Sequence, residues 1–381
     1  MTTAERPLES YRTLFPVTES WTYLNHAAVS GLCRPAVDAL TAYLADQSAN
    51  ALASEPAAMA GIEANRDKAA RLVGADADEI AWLPNTALAI SLIAHSLPWV
   101  AGDNVVTTDE QFPANVYPWL ELAAQGVDTR LVPRRAGRVL IEDLVAQLDG
   151  RTRLVAVSWV EFNSGFCQDL AALGALCQAR GVRLLVDGIQ GLGALPADLH
   201  AWGVDFFAAG THKWLLGPQG LALLYVRRAA LAELRAHLLS WRSVVDQDDH
   251  LNYRQPWRPD ARRFEGSTPN LLGHAAFGPV LDLHLEIGPI RIAAAIRVLT
   301  DRLIAALHAH GHTVTSSLAP AERSGIVCFR PRAGEDPAAV VARLHAAHIS
   351  VAARSGVVRV APHFYNTAIE IDSLFAPGLL G

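Results

Sequence analysis

Between residue 69 and about residue 226 the chain alternates short uninterrupted apolar runs with amphipathic stretches. The runs predict strands at 104–108 (NVVTT), 129–133 (TRLVP), 153–159 (RLVAVSW), 182–187 (VRLLVD), 204–210 (VDFFAAG) and 221–226 (LALLYV). Runs that stay apolar at every position belong to strands covered on both faces. Helical stretches such as LAALGALCQARG (170–181) separate them, so the pattern predicts an α/β fold, a mostly parallel sheet with helices on both faces. Ligands of such folds sit beyond the carboxyl ends of the strands. Polar and aromatic residues gather at those ends: Asp109 and Phe112, residues 159–164, Asp187, and His212 with Lys213. Residues 80–102 carry no charge, but Pro84, Asn85, Thr86, Ser91, His95, Ser96 and Pro98 make them a strand end, a turn and a buried helix rather than a membrane span. Residues 240–263, rich in charge, Trp and Pro, predict a long loop, and 271–309 predict long helical material. The rest predicts a small α+β domain. The expected organisation is an N-terminal arm (1–20), a large α/β domain (21–265), and a long helix with a small C-terminal domain (266–381).

Composition narrows the chemistry. With 381 residues, 51% hydrophobic and 18% charged, the chain has material for a large core. Its 32 basic and 38 acidic residues, net −6, argue against a nucleic-acid or anionic-membrane footprint. MTTAERPLES lacks the basic start and apolar run of a signal peptide, and the four cysteines show no C-x-x-C spacing. Both point to a cytoplasmic protein with reduced thiols. Of the 32 basic residues only Lys68 and Lys213 are lysine. A chain that writes arginine almost everywhere keeps lysine where arginine cannot substitute, and arginine cannot form an imine. Lys68 fits the solvated face of a helix; Lys213, in FFAAGTHKWLLGPQG, lies between apolar runs at a strand-to-loop junction.

Asp187, Gln190, His212 and Lys213 form the strongest constellation. Pyridoxal phosphate chemistry needs a lysine to hold the aldehyde as a Schiff base and a carboxylate to keep the pyridine nitrogen protonated. Asp187 alone is equally a helix cap. Asn85 and Thr86 open an apolar helix, where free amides and the dipole favour an anion, although an ordinary N-cap reads the same way. HAHGH (308–312) lacks acidic or cysteine company for a metal, VDGIQGLG does not match G-x-G-x-x-G, and no G-x-S-x-G is present. Trp159, Tyr253 and Trp257 are candidates for the substrate wall.

These segments, from YLNHAAVSG (23–31) through VDGIQGLGALPADL and THKWLLGPQG to HFYNT (363–367), resemble the class V aminotransferases, which include cysteine desulfurases, kynureninase and isopenicillin N epimerase-like proteins. The resemblance implies pyridoxal 5'-phosphate on Lys213, with Asp187 at the pyridine nitrogen and Gln190 at the ring oxygen. Thr86, the amide of Ala87, Asn85, Thr211 and His212 would hold the phosphate, and Phe112 would stack on the ring. Thr268, in RRFEGSTPN, would reach the neighbouring subunit's phosphate, implying a homodimer with shared sites. Arg354, in ARSG, resembles the clamp for the substrate carboxylate; Arg359 is a second candidate, and Asn25 and His26 fall at the substrate end. Which of Glu161, Phe162 and Asn163 faces the ring stays open. Gly210 replaces a serine of many relatives. Desulfurases carry a nucleophilic cysteine soon after the clamping arginine, and ARSGVVRVAPHF has none. The expectation is therefore an aminotransferase acting on a small amino acid, with persulfide-forming desulfurase chemistry disfavoured. A carbon–sulfur or other β-elimination lyase or an epimerase is the alternative, and a non-catalytic binding protein on the same fold is the second alternative.

Overall fold

The computed structural model describes residues 6–235 and 237–381. Thirteen strands are defined among them: β1 Thr22–Tyr23, β2 Ile80–Leu83, β3 Asn104–Thr108, β4 Asp128–Val132, β5 Thr152–Ser158, β6 Arg183–Asp187, β7 Phe206–Gly210, β8 Ala222–Val226, β9 Thr313–Val314, β10 Val327–Arg330, β11 Ile349–Ser350, β12 Ala352–Arg354 and β13 Val357–Val360. The central sheet has seven strands in the order β2-β8-β7-β6-β5-β3-β4. Only β8 runs against its neighbours, so the carboxyl ends of the other six open on one rim. Side-chain alternation explains why β7 and the middle of β6 are apolar at successive positions. Leu184, Val186, Phe207 and Ala209 enter the core on one face, and Leu185, Phe206 and Ala208 enter the core on the other.

Sequence punctuation sets the helix ends. Asp169 caps the helix Leu170–Arg180 by accepting from the amide of Ala172 (2.9 Å), and Gly181, at φ 65°, ends it in the left-handed conformation. The expected long helical material is two helices, Leu271–Ile287 and Pro289–Ala309, broken where Gly288 adopts φ 86° before Pro289. Residues 240–263 form the expected irregular segment, with only the single turns Trp241–Ser243 and Ala261–Phe264. A second, antiparallel sheet, β12-β13-β10-β9, packs with the helix Pro289–Ala309 around its own core.

Of the expected N-terminal arm, residues 1–5 lie outside the described residues, and 6–20 are docked. Tyr11 donates to Glu286 (2.6 Å), Arg12 pairs with Glu370 (2.8 Å), and Phe15 stacks on Tyr365 at 3.8 Å between ring centres. β1 pairs with β11, and Leu24 joins the C-terminal core. The N-terminal segment thus belongs physically with the C-terminal part, a cross-chain pairing that no local pattern encodes. Among the described residues no helix is long and apolar enough to cross a membrane.

Candidate active site

The rim of the sheet carries a cavity of about 440 Å³, within the usual range of small-molecule sites. Asp187 ends β6 and is buried. Its Oδ1 accepts from the amide of Ile189 (3.0 Å). Burial pushes its carboxyl up to about 6, while that amide and the nearby Lys213 charge pull the other way. The turn that follows requires glycine: a Cβ on Gly188 would fall 1.8 Å from the Phe207 ring, and one on Gly191 2.3 Å from Trp159. Gln190 is fixed from both sides, donating to the carbonyl of Ala27 and accepting from the Trp214 indole, each at 3.0 Å.

Lys213 follows β7 and is half-buried on the cavity wall. Burial lowers its ammonium to about 8; Asp187 opposes that, and Arg359 and Arg354 add to it. Its Nζ lies 5.7 Å from the centre of the Phe112 ring. The loop is held by Ser30, whose amide donates to the carbonyl of His212 (2.8 Å) and whose hydroxyl donates to that of Lys213 (2.7 Å). Sequence reading missed Ser30, since nothing local marks a contact 183 residues away. Lys68, the other lysine, lies on the helix Glu55–Val73, pairs with Asp282 of the helix Leu271–Ile287 (2.7 Å) and does not line the cavity.

The helix Thr86–Ser96 points its N-terminus at the same cavity. Asn85 caps it through the amide of Leu88 (2.8 Å), and the Thr86 hydroxyl accepts from the amide of Gly210 (2.8 Å). Thr86 and Ala87 stand in the first turn, where amides have no intrahelical acceptor. Gly210 keeps this junction tight: a Cβ there would sit 3.1 Å from the His212 ring.

Phe112 and Phe162 form the opposite wall, edge to face at 5.5 Å. Of the three residues 161–163, Phe162 lines the cavity, whereas Glu161 and Asn163 turn away toward Arg134. Arg359 is 2% exposed, and its Nη1 donates to the Phe162 carbonyl (2.9 Å). Its Nε has no partner, and it forms no ion pair among the described residues. Burial lowers it to about 10. Arg354 lines the cavity from an exposed position.

Several expected site residues lie elsewhere. Thr211 is fully buried and spends its hydroxyl on the carbonyls of Pro218 and Leu221, which removes it as an anion ligand. His26 is buried behind the loop: Nδ1 donates to the carbonyl of Ala361 (2.8 Å), and Nε2 accepts from the Tyr365 hydroxyl (2.6 Å). Burial lowers it to about 4, leaving a neutral structural imidazole. Asn25 bridges to Ala361 and is absent from the cavity lining. Thr268, expected to serve a neighbouring subunit rather than its own, is exposed and outside this chain's cavity, which leaves that expectation standing. Trp159 packs in the core against Trp202, and Tyr253 (87% exposed) and Trp257 face solvent. In HAHGH, His310 stacks on Phe375 and His312 bonds the Leu380 carbonyl (3.0 Å).

The family model for aminotransferase class-V matches residues 22–374. The chain belongs to the class-V aminotransferase family. Similar members include the uncharacterized aminotransferase YcbU of Bacillus subtilis, 30% identical over 95% of this chain and 95% of that one. A cysteine desulfurase of Klebsiella pneumoniae is 32% identical over 84% of this chain and 82% of its own. Among solved structures, the cystine C–S lyase C-DES in complex with its product cysteine persulfide superposes with a TM-score of 0.88 at 27% identity, covering 95% of this chain and 98% of that one. A C-DES variant with glycine covalently linked to its pyridoxal phosphate cofactor superposes at 0.90 and 26%, covering 96% and 98%. The fold is that of these class-V enzymes, and their cofactor is pyridoxal phosphate.

The residues gathered at this cavity fit that cofactor. A half-buried amine of lowered basicity, a buried carboxylate with a single amide partner, first-turn amides and an aromatic wall converge on one cavity. The relatives overturn one expectation. Persulfide-forming desulfurase chemistry was disfavoured because no cysteine follows the clamping arginine, yet relatives at 32% identity are named cysteine desulfurase and C-DES releases a persulfide. For C-DES the chemistry shows why the missing cysteine excludes nothing: cystine carries a second sulfur, so cleaving its Cβ–S bond yields a persulfide without a protein thiol.

Proposed function

We propose that the protein is a pyridoxal-phosphate-dependent carbon–sulfur lyase acting on a small cysteine-derived amino acid. The observation that carries this reading is the convergence on one cavity of Lys213, Asp187 and the buried Arg359, whose Nε has no partner among the described residues, in a fold superposable on a cystine C–S lyase. When bound, the cofactor supplies an aldehyde that condenses with amines and a ring that accepts an electron pair. Asp187, held by the Ile189 amide, keeps a negative charge at the base of the cavity for the ring nitrogen. Lys213 has its amine partly neutral near pH 8, as holding the aldehyde and then taking a proton from the substrate Cα both require. Arg359, with Arg354 nearer solvent, supplies planar donors for the substrate carboxylate. Thr86, Ala87 and the Asn85-capped helix end offer amides to the phosphate. Phe112 and Phe162 exclude water from one side.

The active unit in this proposal is a homodimer, in which the exposed Thr268 of one copy completes the phosphate site of the other. The four free cysteines accord with a cytoplasmic setting.

The test is a substrate panel given to the coloured, cofactor-loaded enzyme. Release of pyruvate and ammonia from L-cystine or L-cysteine supports the lyase. Conversion of the donor to its keto acid with the cofactor left as its amine, or solvent deuterium at Cα without net product, overturns it in favour of transamination or epimerisation. A protein that binds no cofactor overturns it in favour of a binding role.

A further inference from the structure

Arg134 lies just beyond β4, outside the cavity, yet its side chain is only 1% exposed. Its neighbour Arg135 is an ordinary surface residue that pairs with Asp143. A guanidinium withdrawn from water is retained only where acceptors surround it, and those acceptors then occupy fixed places. The acceptors of Arg134 come from two separate turns. From the first, Asp109 accepts from its main-chain amide (2.9 Å) and Glu110 from Nη2. From the second, Asn163 Oδ1 accepts from Nη1 at 2.8 Å and Glu161 Oε2 at 3.4 Å. The turns are also joined directly, since Gln111 donates to Glu161 (2.7 Å) and accepts from Ser158 (2.7 Å), the sheet neighbour of Asp187.

Each turn carries one aromatic wall of the cavity, Phe112 or Phe162, and the Phe162 carbonyl is the acceptor that holds Arg359. We propose that Arg134 is a positioning residue for the active site: it clasps the Phe112 turn to the Phe162 turn and, through the Phe162 carbonyl, sets the Arg359 guanidinium. The inference rests on the reading of this cavity as a cofactor and amino-acid site but not on which bond is cleaved. Lysine at 134 would keep the charge and lose the planar fork that serves both turns at once.

The experiment compares Arg134→Lys, Glu110→Gln and Asn163→Ala with the parent chain. Glu110 and Asn163 each remove one arm of the clasp, so the test survives if the arginine variant fails to fold. Four quantities are measured: the melting temperature, the Kd for added pyridoxal phosphate from quenching of intrinsic fluorescence, and KM and kcat with the best sulfur amino acid. The expected result is KM raised on the order of tenfold in Asn163→Ala, which loosens Phe162 and Arg359, and cofactor Kd raised on the order of tenfold in Glu110→Gln, which loosens Phe112. Arg134→Lys should show both effects. Melting temperatures lowered with Kd and KM within about twofold of the parent would mean a merely structural role and overturn the proposal. A parent enzyme that binds the cofactor but cleaves no carbon–sulfur bond would sink the lyase reading alone, because the cofactor Kd still reports on Arg134.

Discussion

At the scale of single residues the account turns on basicity and burial. A lysine in water holds its proton to pH 10 and above, but burial brings Lys213 down to about 8. Only the neutral amine attacks an aldehyde. Capture of pyridoxal phosphate by the cofactor-free protein should therefore accelerate as pH rises from 6.5, with a midpoint near 8, and level off above; stopped-flow absorbance checks this. The two arginines divide by environment. Arg359 is buried, and its Nε has no partner among the described residues, whereas Arg354 is exposed and donates to its neighbour's carbonyl. Charge-assisted hydrogen bonds are worth about 1.5–3 kcal/mol. Arg359→Gln should raise the substrate KM at least tenfold, and Arg354→Gln about threefold or less, as steady-state kinetics would read. The reverse ranking would assign the clamp to Arg354.

Elements bring these residues together, and their fit is tight where the chain passes close to itself. Gly188 connects β6 to the turn carrying Gln190, and a methyl group there would overlap the buried Phe207 ring. Gly188→Ala should cost about 1–3 kcal/mol of stability and weaken cofactor retention, because the turn must shift to make room. Calorimetry and the visible cofactor band would register the two effects together. The strands were legible for a physical reason: residues 206–210 and 221–226 carry no charge and are almost wholly apolar because both faces are covered, and the observed strands agree with the expected ones to within one or two residues. Lys213 and Asp187 were legible from lysine scarcity and strand-end placement. Thr211 and His26 were misplaced because whether a polar side chain turns into a cavity or into the protein depends on partners far along the chain, Leu221 in one case and Ala361 in the other. Arg134 and Ser30 were not found, for their partners come from turns that only the fold juxtaposes.

For the molecule as a whole, both termini belong to one unit. β1 pairs with β11, and Ser30 reaches from the N-terminal segment to the Lys213 loop, so the C-terminal part and the active-site loop are tied through residues 22–30. A homodimer should elute and sediment at twice the chain mass. Thr268→Ala should then weaken cofactor binding in the dimer without altering its mass; a monomer with full cofactor affinity would contradict the shared site. The most direct measurement is borohydride reduction of the cofactor-loaded protein, followed by peptide mapping of the cofactor mass. A single modified peptide containing Lys213 is expected. Modification at Lys68, or retention of no cofactor after reduction, would contradict it.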